Sequence, residues 1–167
     1  MSAGRRIAFA GAGALGVLIA AVVLWPAPAG PEPIVWGRDT CARCRMHLSQ
    51  PGFSGQLRDA DGVVRKFDDL GCLVGAIVET HAAIPEVWVE DHEGGGVVPL
   101  LSAHLVRAPG VATPMGHGVV AFSSPDAAEA FARANRGERV AFETLLRDGR
   151  FLARVAGRPA PMAEGSR

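Results

Sequence analysis

The feature that most constrains this chain is an uncharged apolar segment near its N-terminus. Residues 7–25 are nineteen apolar or small residues. A helix of that length spans about 28 Å, close to the thickness of a bilayer's hydrocarbon core. Arg5 and Arg6 precede the segment, and the first charge after it is Glu32. The positive-inside rule therefore predicts a cytoplasmic N-terminus and an extracytoplasmic remainder.

The same segment also has features of a cleaved signal. The sequence Ala27-Pro28-Ala29 has the small-residue pattern of a cleavage site, whereas the length of the apolar run favours a retained anchor. We predict a protein that is membrane-anchored on the periplasmic side. Its N-terminal region divides into a cytoplasmic n-region (1–6), a transmembrane anchor or signal segment (7–25) and a linker (26–35).

Composition restricts the classes to which the remainder can belong. The chain has 167 residues, of which 49% are hydrophobic, and a formal net charge of zero. It is too apolar for a disordered protein, and it has no basic excess for nucleic acid. We predict one domain over residues 36–156, followed by a disordered tail over 157–167 that is rich in Pro, Gly and Ala.

The first half of this domain is predicted to form a hairpin and then a helix. Residues 53–58 and 63–67 flank Asp61-Gly62, a pair that tolerates the positive φ of a tight turn. Asp68-Asp69 can then cap a helix with apolar residues at helical spacing. These residues are Leu70, Leu73, Val74 and Ile77.

The second half repeats the succession of strand and helix. Phe67 precedes the first helix, and Phe122 closes a predicted strand over 119–122, 55 residues later. Ser124-Pro125 then starts a helix predicted over 125–135. We therefore predict an α+β fold with duplicated strand-helix units and antiparallel sheet.

The residues that indicate a chemical function are mainly those that carry sulfur. Cys41, Cys44, Met46 and His47 fall within seven residues, and Arg43 and Arg45 are predicted to lower the pKa of a neighbouring thiol. Met46 and the later Met115 lie among charged residues or between proline and glycine, unlike core methionines. Thiolate with thioether is a soft donor set that selects Cu(I).

Three features together resemble the NosL family of nitrous oxide reductase copper chaperones. They are Cys44-x-Met46, the hairpin over 52–67 that ends in Phe-Asp-Asp, and Met115-Gly116 seven residues before Phe122. The resemblance covers about residues 36–145. It implies a fold similar to the organomercurial lyase type and a non-enzymatic, membrane-attached Cu(I) carrier outside the cytoplasm. It further implies docking on a NosDFY-type transporter complex and supply of copper to nitrous oxide reductase.

By this resemblance the copper ligands are Cys44, Met46 and Met115. Independently of the resemblance, Cys41 and the histidines nearest the candidate sulfurs, His47 and His117, are possible further ligands. The chain differs from the family pattern in two places. An apolar helix replaces the acylated cysteine of a lipoprotein anchor, and the family's Met-Gly-x-Glu motif ends here in Gly118. The second difference leaves another copper enzyme open as the client.

Two other functions remain open from the sequence. Cys41, Cys44 and His47 with a distant fourth ligand would make a structural zinc-binding module. Alternatively, Cys41-x-x-Cys44 would serve a thiol-disulfide oxidoreductase, which needs the pair at the head of a long helix. Cys72 lies within a predicted helix and is expected to be a small buried hydrophobic residue without a metal role.

Overall fold

The computed structural model describes residues 30–80, 86–94 and 96–157. The predicted n-region, the predicted anchor, the first four linker residues and the tail after Gly157 lie outside the described residues. Among the helices of the described ranges, none combines the length and the apolar character of a membrane span.

The described residues form two antiparallel sheets with helices packed against them. One sheet has the strand order β2-β1-β3-β4, and the other has the order β6-β5-β7. The elements follow along the chain as β1 (Gly55–Arg58), β2 (Val64–Phe67), α1 (Leu70–Thr80), β3 (Glu86–Glu90), β4 (Val97–Pro99), a 3-10 helix (Leu100–Ser102), β5 (His104–Arg107), β6 (Val119–Phe122), α2 (Pro125–Ala134), β7 (Glu138–Val140), α3 (Phe142–Arg147) and α4 (Gly149–Val155).

The topology confirms the predicted duplication. In the first half β1, β2, α1 and β3 follow one another, and β1 lies between β2 and β3. In the second half β5, β6, α2 and β7 follow in the same way, and β5 lies between β6 and β7. Phe67 ends β2 and Phe122 ends β6, and both side chains are buried. Each half is thus a hairpin followed by a helix and a third strand.

The turn between β1 and β2 forms as the sequence predicts. Gly62 adopts a φ of +80°, in the region that favours glycine. The carboxylate of Asp59 accepts the N–H groups of Asp61 at 3.1 Å and Val63 at 2.9 Å. These bonds fix the hairpin register, and the register determines which face of the sheet packs against α1.

Both ends of α2 are capped. The Ser124 side chain accepts the N–H of Ala127, and Pro125 occupies the first helical position. At the other end Arg136 adopts a positive φ of 53°. The N–H of Gly137 then donates to the carbonyl of Ala132 at 2.8 Å, as in a Schellman motif.

Asp91 joins the two halves. It follows β3 and forms a parallel bridge with Ala121 of β6. One carboxylate oxygen accepts the N–H groups of Glu93 at 3.0 Å and Gly94 at 3.2 Å. The other oxygen accepts the N–H of Ser123 at 3.1 Å and also its hydroxyl. The carboxylate therefore ties the end of β3 in the first sheet to the start of the second half's helix.

We expect Asp91→Asn to lower the free energy of unfolding by about 1–2 kcal/mol at neutral pH. Each carboxylate oxygen accepts two hydrogen bonds, and asparagine would replace one of these oxygens with an NH₂ group that cannot accept them. Burial raises the pKa of Asp91, but hydrogen bonds from Ser123 and from the backbone outweigh burial and hold the pKa below its ordinary value of 3.8. The contribution of the carboxylate is therefore present above that value and is lost as the pH falls through the lower folded-state pKa.

Urea denaturation at about pH 7 and about pH 3 measures this effect. The difference between wild type and Asp91→Asn should shrink in acid, and Asp61→Asn, at an exposed turn position, serves as the matched control. A difference that stays constant between the two pH values would contradict the linkage.

Candidate metal centre

The predicted sulfur motif is a tight turn. Residues 41–46 lie between Thr40 and His47, which form an antiparallel bridge. The N–H of Cys41 donates to the carbonyl of Met46 at 2.8 Å. The turn therefore bends the backbone so that side chains near its two ends can face the same space.

Two hydrogen bonds from backbone N–H groups hold this turn, and the residues just after it, against the rest of the first half. The N–H of Ala42 donates to the carbonyl of Lys66 in β2 at 2.8 Å. The N–H of Ser49 donates to a carboxylate oxygen of Asp68, just before α1, at 3.1 Å. The turn consequently lies at the N-terminal end of α1, where Cys72 is the third helical residue.

The structure brings all three cysteines together. The Sγ atoms of Cys41, Cys44 and Cys72 lie within 4.8 Å of one another, and each is a free thiol. Cys41 and Cys72 are fully buried, whereas Cys44 is partly exposed at the rim. The burial of Cys72 agrees with the sequence prediction, but its position against the other two thiols was not predicted.

Hydrogen bonding distributes the charge unequally among these thiols. The Cys72 S–H, together with backbone N–H groups of Asp68, Cys44 and Arg43, lowers the pKa of Cys41 to about 5 against the effect of burial. The bond to Cys41 raises the pKa of Cys72 well above its ordinary value. Burial raises the pKa of Cys44. Hydrogen bonding therefore favours the charged form of Cys41 over the charged forms of Cys44 and Cys72.

The predicted role of the two arginines holds only in part, because Arg43 interacts with Cys72 but neither arginine is a main cause of the low pKa of Cys41. The Arg43 guanidinium forms an ion pair with Glu79 at 2.7 Å, and its side chain packs over Gly75 of α1. Arg45 adopts a φ of +67° and is exposed. The low pKa of Cys41 thus comes mainly from the neighbouring thiol and from backbone N–H groups rather than from these cations.

The two methionines are exposed, as the sequence predicts. Met46 is 59% exposed and Met115 is 40% exposed. A hydrogen bond from the Met46 backbone to the Cys44 sulfur counteracts the effect of burial on the pKa of that thiol. His47, next along the chain, is exposed as well.

The side chain of Asp69 holds the second-half loop that carries Met115. It caps α1 by accepting the N–H of Gly71 at 2.6 Å, and it also accepts the N–H of Met115 at 3.1 Å. The Thr113 hydroxyl donates to the same carboxylate, and His117 Nδ1 lies 2.8 Å from it. The predicted helix cap is therefore also the link that brings the two halves together at the N-terminus of α1.

His117 packs at this link and is buried. Its imidazole lies so close to Gly71 that a Cβ there would overlap the ring. Burial raises the pKa of Asp69, but hydrogen bonds from His117 and Thr113 outweigh that effect and hold the pKa below its ordinary value. Because Asp69 engages Nδ1, only Nε2 of His117 remains for a metal.

Within the described ranges, the cluster close enough to hold a metal ion consists of the three cysteines and includes neither His47 nor His117. Its donors are soft: two buried thiols, one partly exposed thiol and, on the turn of Cys44 and the loop held by Asp69, two exposed thioethers. The pair Cys41 and Cys44 lies in a turn rather than at the head of a long helix. That position does not match the geometry of a thioredoxin-like redox motif.

Comparison with known proteins agrees with this architecture. The NosL family model matches residues 35–149. The fold is similar to that in the crystal structure of the copper chaperone NosL from Shewanella denitrificans, with a TM-score of 0.64 and 22% sequence identity. That match covers 70% of this chain and 96% of the other. No curated protein matches this chain.

Proposed function

Because this chain belongs to the NosL family, we propose that it is a membrane-attached, extracytoplasmic carrier of Cu(I) that supplies copper for the assembly of nitrous oxide reductase. In this role the chain binds and releases its cargo and catalyses no reaction. The similar structure from Shewanella denitrificans is that of a copper chaperone, which supports the proposal.

The observation that carries the proposal is a sulfur cluster open to solvent on one side. Cys44 lies at the rim of the buried thiols, and its sulfur accepts the N–H of the exposed Met46. Met115 is exposed on a loop fixed to the same end of α1. We assign Cys44, Met46 and Met115 as the ligands of the cargo. Cys44 supplies one negative charge for monovalent copper, and the thioethers add neutral soft coordination.

Exposure of the thioethers suits the release of cargo. A carrier must let a partner's ligands reach the metal while its own ligands leave, and this exchange is easiest at the surface. Met46 and Met115 are accessible, and Met115 is held through its backbone rather than through its side chain. The thioethers can therefore leave the metal without disturbing the fold.

The proposed location follows from residues 7–25, which would hold the domain at the outer face of the membrane, near a NosDFY-type transporter complex. Protease added to the outside of intact inner-membrane preparations should digest the domain. Digestion only from the cytoplasmic face would contradict the assigned topology.

Zinc is the rival cargo, since three thiols and one further donor also suit a structural zinc site. Anaerobic protein offered equal amounts of Cu(I) and Zn(II), then freed of unbound metal, should retain copper. Retention of zinc in place of copper would favour the structural module.

The client is tested in a denitrifying host that lacks its own copy of this protein. We expect the wild-type chain to restore the copper content of nitrous oxide reductase and Cys44→Ser to fail. Ala42→Ser, in the same turn, is the matched control and should restore it. A reductase that acquires its copper in the absence of the chain would show that another enzyme is the client.

A further inference from the structure

We propose that Cu(I) has a second binding position in this chain, formed by the sulfurs of Cys41, Cys44 and Cys72. It lies beneath the position that Cys44 shares with Met46 and Met115. This inference rests on the proposed function, because it takes Cu(I) to be the cargo. The two positions share Cys44 and differ in their remaining ligands, which are thioethers at the surface and thiolates inside.

The geometry of the cluster suits a three-coordinate metal. Metal–thiolate bonds of about 2.3 Å in a trigonal arrangement place the sulfurs about 4.0 Å apart. The three Sγ atoms already lie within 4.8 Å of one another. Shifts of less than about 1 Å, within the reach of side-chain rotation, therefore complete the site.

The fold holds these sulfurs in place from two elements. Cys41 and Cys44 belong to the turn, and Cys72 belongs to the first turn of α1. The turn is fixed to β2 through Ala42 and to the residues before α1 through Ser49. Because the elements are linked by hydrogen bonds before metal arrives, little ordering is needed on binding.

Binding by three thiolates releases the remaining thiol protons to solvent, and the surroundings offset part of the negative charge that results. Backbone N–H groups point at the Cys41 sulfur, and Cys72 lies in the first turn of a helix, where the dipole favours an anion. The Arg43 side chain, ion-paired with Glu79, also interacts with Cys72. Donors and a cation therefore approach the cluster from the turn and from the helix.

The buried position explains how cargo could stay bound while the thioethers leave. Exposed methionines are open to displacement by a partner and to oxidation, and a sulfoxide is a polar group unlike the soft thioether. Cys41 and Cys72 are fully buried and protected from both. With Cys44 bound throughout, Cu(I) would move between the two positions without dissociating.

The first test removes both thioethers. The double variant Met46→Ala/Met115→Ala changes only exposed side chains, so the fold should persist. Under anaerobic conditions, competition against a chromogenic Cu(I) chelator should show an affinity reduced by about tenfold with one Cu(I) still bound. X-ray absorption should show three sulfur neighbours. Failure to hold Cu(I), or a shell of nitrogen and oxygen, would overturn the proposal.

The second test removes a buried thiol in that background. Adding Cys72→Ala should lower the Cu(I) affinity at least about thirtyfold further, because the cluster then lacks one thiolate. Cys41→Ser should give a similar loss from the other element. Val78→Ala, which removes a partly buried side chain from the same helix, is the matched control. Circular dichroism checks the fold of each variant.

The outcomes separate this inference from the proposed function. If wild type binds Cu(I) but neither Cys72→Ala nor Cys41→Ser lowers the affinity of the double variant, the buried position is wrong and the surface site stands. If wild type itself binds no Cu(I), the proposed function fails, and this inference fails with it.

Discussion

Replacing Cys44 by serine should lower the affinity for Cu(I) by at least about a hundredfold, the largest effect on binding that we expect from a single substitution. Both proposed copper positions use this sulfur. It is also the thiol at the rim of the cluster, since Cys41 and Cys72 are fully buried. Serine replaces a soft, charged ligand with a hard, neutral one, which Cu(I) disfavours. Competition titration of the reduced protein measures the loss.

Ala42→Ser is the control for this change. Ala42 lies in the same turn, and its N–H holds the turn to β2, but its side chain carries no sulfur. The added hydroxyl should leave the affinity for Cu(I) unchanged. Equal affinity in Cys44→Ser and wild type would remove Cys44 from the site and leave neither copper position in place.

Asp69→Asn should have the largest effect on stability, lowering the free energy of unfolding by about 3 kcal/mol or more. The carboxylate is fully buried and joins groups from both halves of the domain. An asparagine has one acceptor oxygen, and its NH₂ must face donors that the carboxylate now accepts. These donors are the N–H groups of Gly71 and Met115, the hydroxyl of Thr113 and Nδ1 of His117.

Asp68→Asn is the matched control, one residue earlier in the same cap. Asp68 accepts the N–H of Ser49, but burial raises the pKa of Asp68, whereas hydrogen bonds lower the pKa of Asp69. The surroundings therefore favour the charged form of Asp69 and not that of Asp68. We expect a change below about 1 kcal/mol. Urea denaturation at neutral pH compares the two variants, and equal losses would contradict the assigned role of Asp69 in joining the halves.

The parts of the fold that follow from local pattern could be predicted from the sequence. The Asp61-Gly62 turn, the cap of α1 and the Ser124-Pro125 start of α2 each depend on residues within a few positions of one another. Phe67 and Phe122 mark equivalent places in the two halves because each is a buried residue that ends a strand just before a helix begins.

Two strands of only three residues each could not be predicted. β7 consists of Glu138, Arg139 and Val140 and has no alternating pattern of buried and exposed residues. It forms a strand because its backbone pairs with β5, which is distant in sequence. β4 likewise depends on pairing with β3. Such strands are determined by tertiary contacts rather than by their own residues.

The candidate site was predictable in type but incomplete in membership. Soft ligands near Cys44 and exposed methionines follow from residue chemistry and neighbours. Cys72 was missed because its apolar neighbours are typical of a core residue, and it is indeed fully buried. One signal was available, because Cys72 lies in the first turn of the helix that follows Asp68-Asp69. Asp68 also binds the N–H of Ser49, just after the cysteine turn, and this bond brings the start of the helix close to Cys41 and Cys44.

X-ray absorption on the anaerobic, Cu(I)-loaded wild-type chain tests the central claim most directly. Our account predicts a first shell of about three sulfur neighbours at about 2.3 Å. Loss of that sulfur shell in Cys44→Ser would assign it to the cluster at the start of α1. A wild-type shell dominated by nitrogen or oxygen would contradict the account and move the metal to His47 and His117.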